Sequence, residues 1–232
     1  MTSKFYAVII GAGSGTGRAA AVRFAKAYPT VLLARSSGSY ENVVKEINDA
    51  GGKAVGISAD AGDASSLRSA FDHIAKELPG HKLAAAIYNA SGAPAPKPFV
   101  EAKPEELDAS IDVNIRGFFN FAQAALPLLE DAVGTSPSPP SLLVTGATAS
   151  VKGSARFGTF AAGKWAQRAL AHSIAREYGP RGVHVALAVI DGVIDVPRTA
   201  AYSGVNDGAP DGKIHPDSVS DLHDLMMGFS FV

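Results

Sequence analysis

Apolar runs of strand length alternate with helix-period segments along most of the chain. The runs are FYAVII (5–10), TVLLA (30–34), KAVGIS (53–58), LAAAIYNA (83–90), SLLVTG (141–146) and HVALAVI (184–190). Between them, GRAAAVRFAKAY, SYENVVKEINDAG, SSLRSAFDHIAKEL, RGFFNFAQAALPLLE and AAGKWAQRALAHSIAREYG repeat apolar residues every three or four positions. Runs that are continuously apolar, rather than alternating, belong to strands covered on both faces. The pattern therefore predicts an α/β fold: one parallel, doubly wound sheet with helices on both faces. GTSPSPPS (134–141) reads as a surface loop ahead of the fifth strand, and RTAAYSGVNDGAPDGKIHP, from residue 198, is loop-like. We expect a single domain over 1–232 with a divergent substrate-loop and C-terminal segment at 197–232. The terminal FSFV is a poor candidate for a closing strand, so a last strand is expected to be missing.

Composition narrows the classes of function. At 47% hydrophobic, 19% charged and a formal net charge of -1, the chain fits a soluble globular protein and has no basic excess for nucleic acid. With no cysteine there are no disulfides and no thiolate metal sites, and the six histidines show no metal spacing. The apolar run at the N-terminus breaks at glycine and is too short for a membrane span or a signal core. A cytoplasmic protein is expected, with a small-molecule substrate and neither membrane nor nucleic-acid partners.

The junction of the first strand and first helix, VIIGAGSGTGRAAAVRF, carries Gly11, Gly13, Ser14, Gly15, Thr16 and Gly17. Glycines permit the turn and let a pyrophosphate approach the helix N-terminus, where free amides and the positive dipole end attract it. The alternative is a glycine-rich structural turn. Sites that read NAD place an acidic residue about 20 positions on; here Arg35 follows the second strand, with Ser36 beside it and Arg18 just past the glycines. A basic residue there favours NADP(H) over NAD(H), unless Arg35 is simply a solvated strand-end arginine.

Together with Asp60 after the third strand, NASG (89–92) after the fourth, VNIRG (113–117), FAAGK (160–164) and IDGVID (190–195), the glycine loop resembles the short-chain dehydrogenase/reductase family. The resemblance implies a Rossmann-like domain. It implies that Asp60, with Ala61, contacts adenine, and that Asn89, Ala90 and Ser91 line the adenosine ribose while Asn89 braces the central strand. Lys164 would hold the nicotinamide ribose, Ile194 would reach the carboxamide, and Asn114 would sit at a helix kink connecting Lys164 to solvent through water. Lys164 facing the surface is the plainer alternative. The resemblance also implies a homodimer or tetramer through helix faces near 117–130 and 160–178.

The chain departs from that family where the proton is handled. Phe160 stands where the family has its catalytic tyrosine, and Ala147, thirteen residues earlier, where it has serine. Thr148, Ser150 and Thr159 are nearby hydroxyls. Asp191 replaces a usual proline; it is an acid raised by desolvation, a stabiliser of a cationic substrate, or a turn aspartate capping its own loop. Four functions follow: an NADPH-dependent reductase whose substrate needs no proton on oxygen, such as an iminium or conjugated system; non-redox catalysis (cyclisation, isomerisation or dehydration) on the same scaffold; a cofactor-sensing or interaction protein without turnover; or a conventional dehydrogenase in which another hydroxyl replaces the tyrosine.

Overall fold

The computed structural model describes residues 4–227, apart from residue 93, 203–204 and 210–211. Six strands, β1 (Phe5–Ile10), β2 (Thr30–Ala34), β3 (Ala54–Ser58), β4 (Lys82–Tyr88), β5 (Ser141–Thr145) and β6 (His184–Ala188), form one sheet in the order β3-β2-β1-β4-β5-β6. Every pairing is parallel. The order reverses between β1 and β4, and this switch point opens a crevice at the carboxyl ends of the strands.

Successive residues of β1 go to opposite layers. Tyr6, Val8 and Ile10 pack with α3 (Ala64–Glu77), α5 (Phe118–Asp131) and α6 (Gly158–Tyr178). Ala7 and Ile9 pack with α1 (Thr16–Phe24) and α2 (Glu41–Asp49). Both faces are therefore buried, which is why the strand sequences are continuously apolar. Tyr88, Phe118 and Phe121 form an aromatic cluster with ring centroids 5.3 and 5.6 Å from the tyrosine, between β4 and α5.

Two helices lie where the sequence pattern gave no element. α4 (Pro104–Ile111) runs into α5 through a π-helical turn at Asp112–Gly117, which is the kink expected around Asn114. α7 (Pro216–Met226) follows the loop-like stretch and packs along α1, with Arg23 gripping Asp224 at 2.5 Å. The FSFV segment lies outside the described residues. No helix among the described residues is long and apolar enough to cross a membrane.

Candidate active site

At the end of β1 the chain turns at Gly11, whose φ of +85° is a left-handed conformation. A Cβ there would lie 2.5 Å from the Ala90 amide nitrogen, and one on Gly17 would lie 2.3 Å from the Gly11 carbonyl oxygen. A Cβ on Gly15 would strike a Val196 methyl at 2.4 Å. Residues 11 and 17, which meet backbone, must therefore be glycine for packing alone, whereas at 15 the Val196 side chain would have to move. Ser14 is exposed, Thr16 is buried, and Gly13 faces open space. Gly15 caps α1 without a side-chain hydrogen bond; the Arg18 amide donates to the Gly13 carbonyl at 2.8 Å, which leaves the Thr16 and Gly17 amides ahead of it with no acceptor within the helix or from its cap. A compact loop backed by a helix N-terminus fits the pyrophosphate of a dinucleotide.

The next layer is a chain of partly buried polar contacts. Asn89 at the end of β4 donates its amide to the Gly11 carbonyl at 3.0 Å and accepts from the Thr145 hydroxyl at 3.0 Å. It thus ties β4 to both β1 and β5, the bracing expected of it. The Thr145 hydroxyl meets Nε2 of His223, on α7, at 3.2 Å. The Thr145 carbonyl, in turn, accepts from Nζ of Lys164 at 3.1 Å.

Lys164 points inward. It is 2% exposed, and its second acceptor is Oε1 of Gln167 at 3.0 Å. Both partners are neutral, so burial dominates and lowers its pKa to about 7. Turning Oε1 towards the lysine leaves Nε2 of Gln167 buried without a partner. Asn114, fully buried in the π turn, donates to the Ser110 carbonyl and hydroxyl at 3.1 and 3.2 Å. Ser91 approaches Oδ1 of Asn114 at 3.5 Å, while Ala90 packs at Gly11. A Cβ on Gly163 would sit 2.3 Å from the Ser110 hydroxyl and 2.9 Å from Nδ2 of Asn114, so α6 passes α4 and the π turn as closely as backbone allows.

Phe160 is half-buried in the first turn of α6, one turn before Lys164 on the same helical face. The Thr148 and Ser150 hydroxyls near Ala147 are already committed. Thr148 donates to Oδ1 of Asp191 at 2.6 Å and approaches the Ile190 carbonyl at 3.2 Å, and buried Ser150 donates to the Ala147 carbonyl at 2.7 Å. Asp191 is exposed and hydrogen-bonded, so the desolvated acid considered from the sequence is not the observed arrangement; the carboxylate braces the loop after β5. Thr159 lines a cleft of about 230 Å³ with Lys97, Phe99, Ser154, Arg156 and Gly158. Ile194 is bridged to Ile214, fastening the loop that carries Val196 across Gly15.

At the other end of the crevice Arg35 and Ser36 are exposed, with the Ser36 hydroxyl 3.1 Å from that of Ser39. Arg18 is engaged instead by Glu46 of α2, its Nε donating to Oε2 at 2.7 Å. Asp60 is exposed and caps its own turn, accepting from the Gly62 amide at 2.9 Å, next to buried Ala61. No cluster of potential metal ligands occurs among the described residues.

His223 and Gln167 escaped the sequence reading. Neither lies in a motif; both stand out only as polar residues buried on apolar helix faces. Burial holds His223 down to a pKa of about 4. The unfolded chain therefore takes up a proton below about pH 6.5 that the folded protein refuses until about pH 4, and stability from this group is lost across that window as pH falls. The expected loss is about 2–3 kcal/mol by pH 4.5. Urea unfolding at pH 7 and pH 4.5 should show wild type losing that much more than His223→Leu; equal losses would refute it.

A family model described as short chain dehydrogenase matches residues 6–204. The chain is 29% identical over 210 residues to the short-chain dehydrogenase/reductase eriH of Hericium erinaceus, covering 88% of this chain and 80% of that protein. It is 31% identical over 220 residues to cyclohexanol dehydrogenase of Rhodococcus sp. (strain TK6), covering 84% of this chain and 76% of that one. The structure of 3-ketoacyl-(acyl-carrier-protein) reductase from Brucella melitensis complexed with NADH superposes with a TM-score of 0.85 at 23% identity, over 97% of this chain and 91% of that one, a likeness of fold.

Proposed function

Because the chain belongs to the short-chain dehydrogenase/reductase family and is an oxidoreductase of that family, we propose that it uses NADPH to reduce an electrophile that needs no proton on oxygen. An iminium carbon, or a conjugated system protonated from water, meets that requirement. The observation that carries the reading is the combination of an intact glycine loop and buried Lys164 with Phe160 one turn away and the Thr148 and Ser150 hydroxyls near Ala147 already donated elsewhere.

When bound, the nicotinamide supplies hydride. The residues of the chain supply position and environment. The amides at the N-terminus of α1 hold the pyrophosphate, and Lys164 offers its amine to ribose hydroxyls. Phe160 forms an apolar wall that keeps water from the reacting carbon. Hydride added to an iminium gives a neutral amine with no further proton, so an apolar wall suffices there; a ketone would leave an alkoxide with no donor beside it. Single-turnover mixing of NADPH-loaded protein with a cyclic imine, followed by nicotinamide absorbance, tests this. Oxidation with the imine and little with the matching ketone is expected; an unchanged absorbance with cationic imines would sink the reading.

The preference for NADP(H) rests on Arg35, which is exposed and has no ion pair among the described residues, whereas Arg18 is held by Glu46. An arginine–phosphate contact is worth about 1.5–3 kcal/mol. Arg35→Ala should therefore weaken NADPH binding by roughly 10–100-fold and NADH binding little, followed by quenching of Trp165. Equal weakening for both dinucleotides would remove Arg35 from that role.

The cleft beside α6 is smaller than the roughly 300 Å³ at which whole-ligand pockets begin, so it suits a substituent of the substrate rather than all of it. Lys97 is neutralised there by Glu106, while Arg156, at a φ of 72°, has no carboxylate partner among the described residues. That charge balance favours an anionic substituent. Phe119 and Trp165, 46% and 49% exposed on α5 and α6, support self-association through those faces.

A further inference from the structure

We propose that His223 is a positioning residue for the cofactor loop: through the Thr145 hydroxyl it fixes Asn89, and through Asn89 the Gly11 turn. The inference concerns a helix that the reading of the site does not otherwise use, and it rests on that reading only in taking the glycine loop to bind a dinucleotide.

The direction of each hydrogen bond follows from the donors available. The Asn89 amide donates to the Gly11 carbonyl, so its Oδ1 is the atom facing Thr145. An amide oxygen accepts and cannot donate, which commits the single proton of the Thr145 hydroxyl to Asn89. Towards His223 that hydroxyl has only lone pairs left. Nε2 of His223, 3.2 Å away, must therefore carry the proton and donate. Nδ1 is buried without a hydrogen-bond partner. The chain of partners thus places a proton on Nε2, and burial with no acceptor beside Nδ1 keeps the ring neutral.

A histidine kept in this state, fully buried and with one nitrogen unsatisfied, is a costly way to fill a helix–sheet contact; a leucine would pack there without the unpaired nitrogen. What it adds is direction. Without its N–H, the Thr145 hydroxyl loses the donor that holds its lone pairs, and the rotor is free to turn from Asn89. The same Thr145 presents its carbonyl to Lys164, so one residue at the tip of β5 orients both ends of the cofactor site. His223 stands on α7, which is also fastened to α1 by Arg23 and Asp224. The helix behind the glycine loop and the strand tip beside it are thereby held by one element.

Two measurements test this. In protein labelled with ¹⁵N-histidine, His223 at pH 7 should show a protonated Nε2 and an unprotonated Nδ1; the opposite tautomer would overturn the proposal without any variant. NADPH titration, read by Trp165 quenching, should show about tenfold weaker binding for His223→Leu and for Thr145→Val, the loss of about one buried hydrogen bond. The double variant should be no weaker than either single one. His223→Gln, which keeps a side-chain N–H donor, should bind within about twofold of wild type. Unchanged affinity in folded His223→Leu would reduce the histidine to packing. If wild type bound neither NADPH nor NADH, the cofactor reading would fall, while the tautomer would still decide the hydrogen-bond chain.

Discussion

Phe160→Tyr is expected to raise ketone reduction by about 10²–10⁴, the usual worth of a positioned general acid. Phe160 lies in the first turn of α6, half-buried, with Lys164 one turn further along the same face. A hydroxyl added to that ring meets a partly open environment, so overpacking is slight. The Lys164 amine below it favours the ionised phenol and brings its pKa towards the working range. Adding Ala147→Ser restores a donor to the reacting oxygen and should contribute more, although the two act as a unit and their factors do not multiply. Reduction of an iminium should not gain, because no proton enters that step. The comparison is kcat/KM for a small cyclic ketone and for the matching cyclic imine, in wild type and both variants. No gain with the ketone, at unchanged NADPH affinity, would show that the missing acid is not what limits the site.

Lys164→Met should make the protein more stable at neutral pH while weakening cofactor binding. Lys164 is buried against two neutral acceptors, and its pKa falls from 10.5 to about 7. The unfolded chain binds that proton up to about pH 10.5 and the folded one releases it near pH 7, so stability rises with pH between those values and the full cost applies below pH 7. The shift corresponds to about 4 kcal/mol at pH 7. Methionine matches the length of the side chain without the charge. The variant forfeits the hydrogen bonds to the Thr145 carbonyl and Gln167, returning about 1–2 kcal/mol. A net gain of roughly 2–3 kcal/mol at pH 7 that shrinks towards pH 9.5 is expected in urea unfolding, an exchange of stability for function. A variant less stable than wild type at pH 7 would mean that the ammonium bonds outweigh burial.

Much of this architecture is local in origin and was legible from the chain. Six apolar runs became the six strands to within two residues, because burial on both faces demands continuous hydrophobicity. The glycines at 11 and 17 were legible because each answers a backbone steric demand that no other residue meets. The kink at Asn114 was placed by its motif, although α4 was not: PEELDASI buries little besides Ser110 and carries no strong apolar stripe. α7 was hidden by the loop-like residues before it.

Partnership across the chain was decided by the tertiary structure. Arg18 is claimed by Glu46, 28 residues away, and Thr148 by Asp191, 43 residues away. His223 reaches back 78 residues to Thr145. Periodicity records which face of an element is apolar, but not which polar group waits on the element packed against it. A buried donor takes whichever acceptor the packing brings within 3 Å or so. The sequence by itself therefore determined the sheet, the glycine loop and the presence of Phe160 beside Lys164. Packing alone decided that Lys164 faces inward to neutral acceptors, that Arg18 is engaged while Arg35 stays open, and that a histidine from the last described helix stands behind the glycine loop.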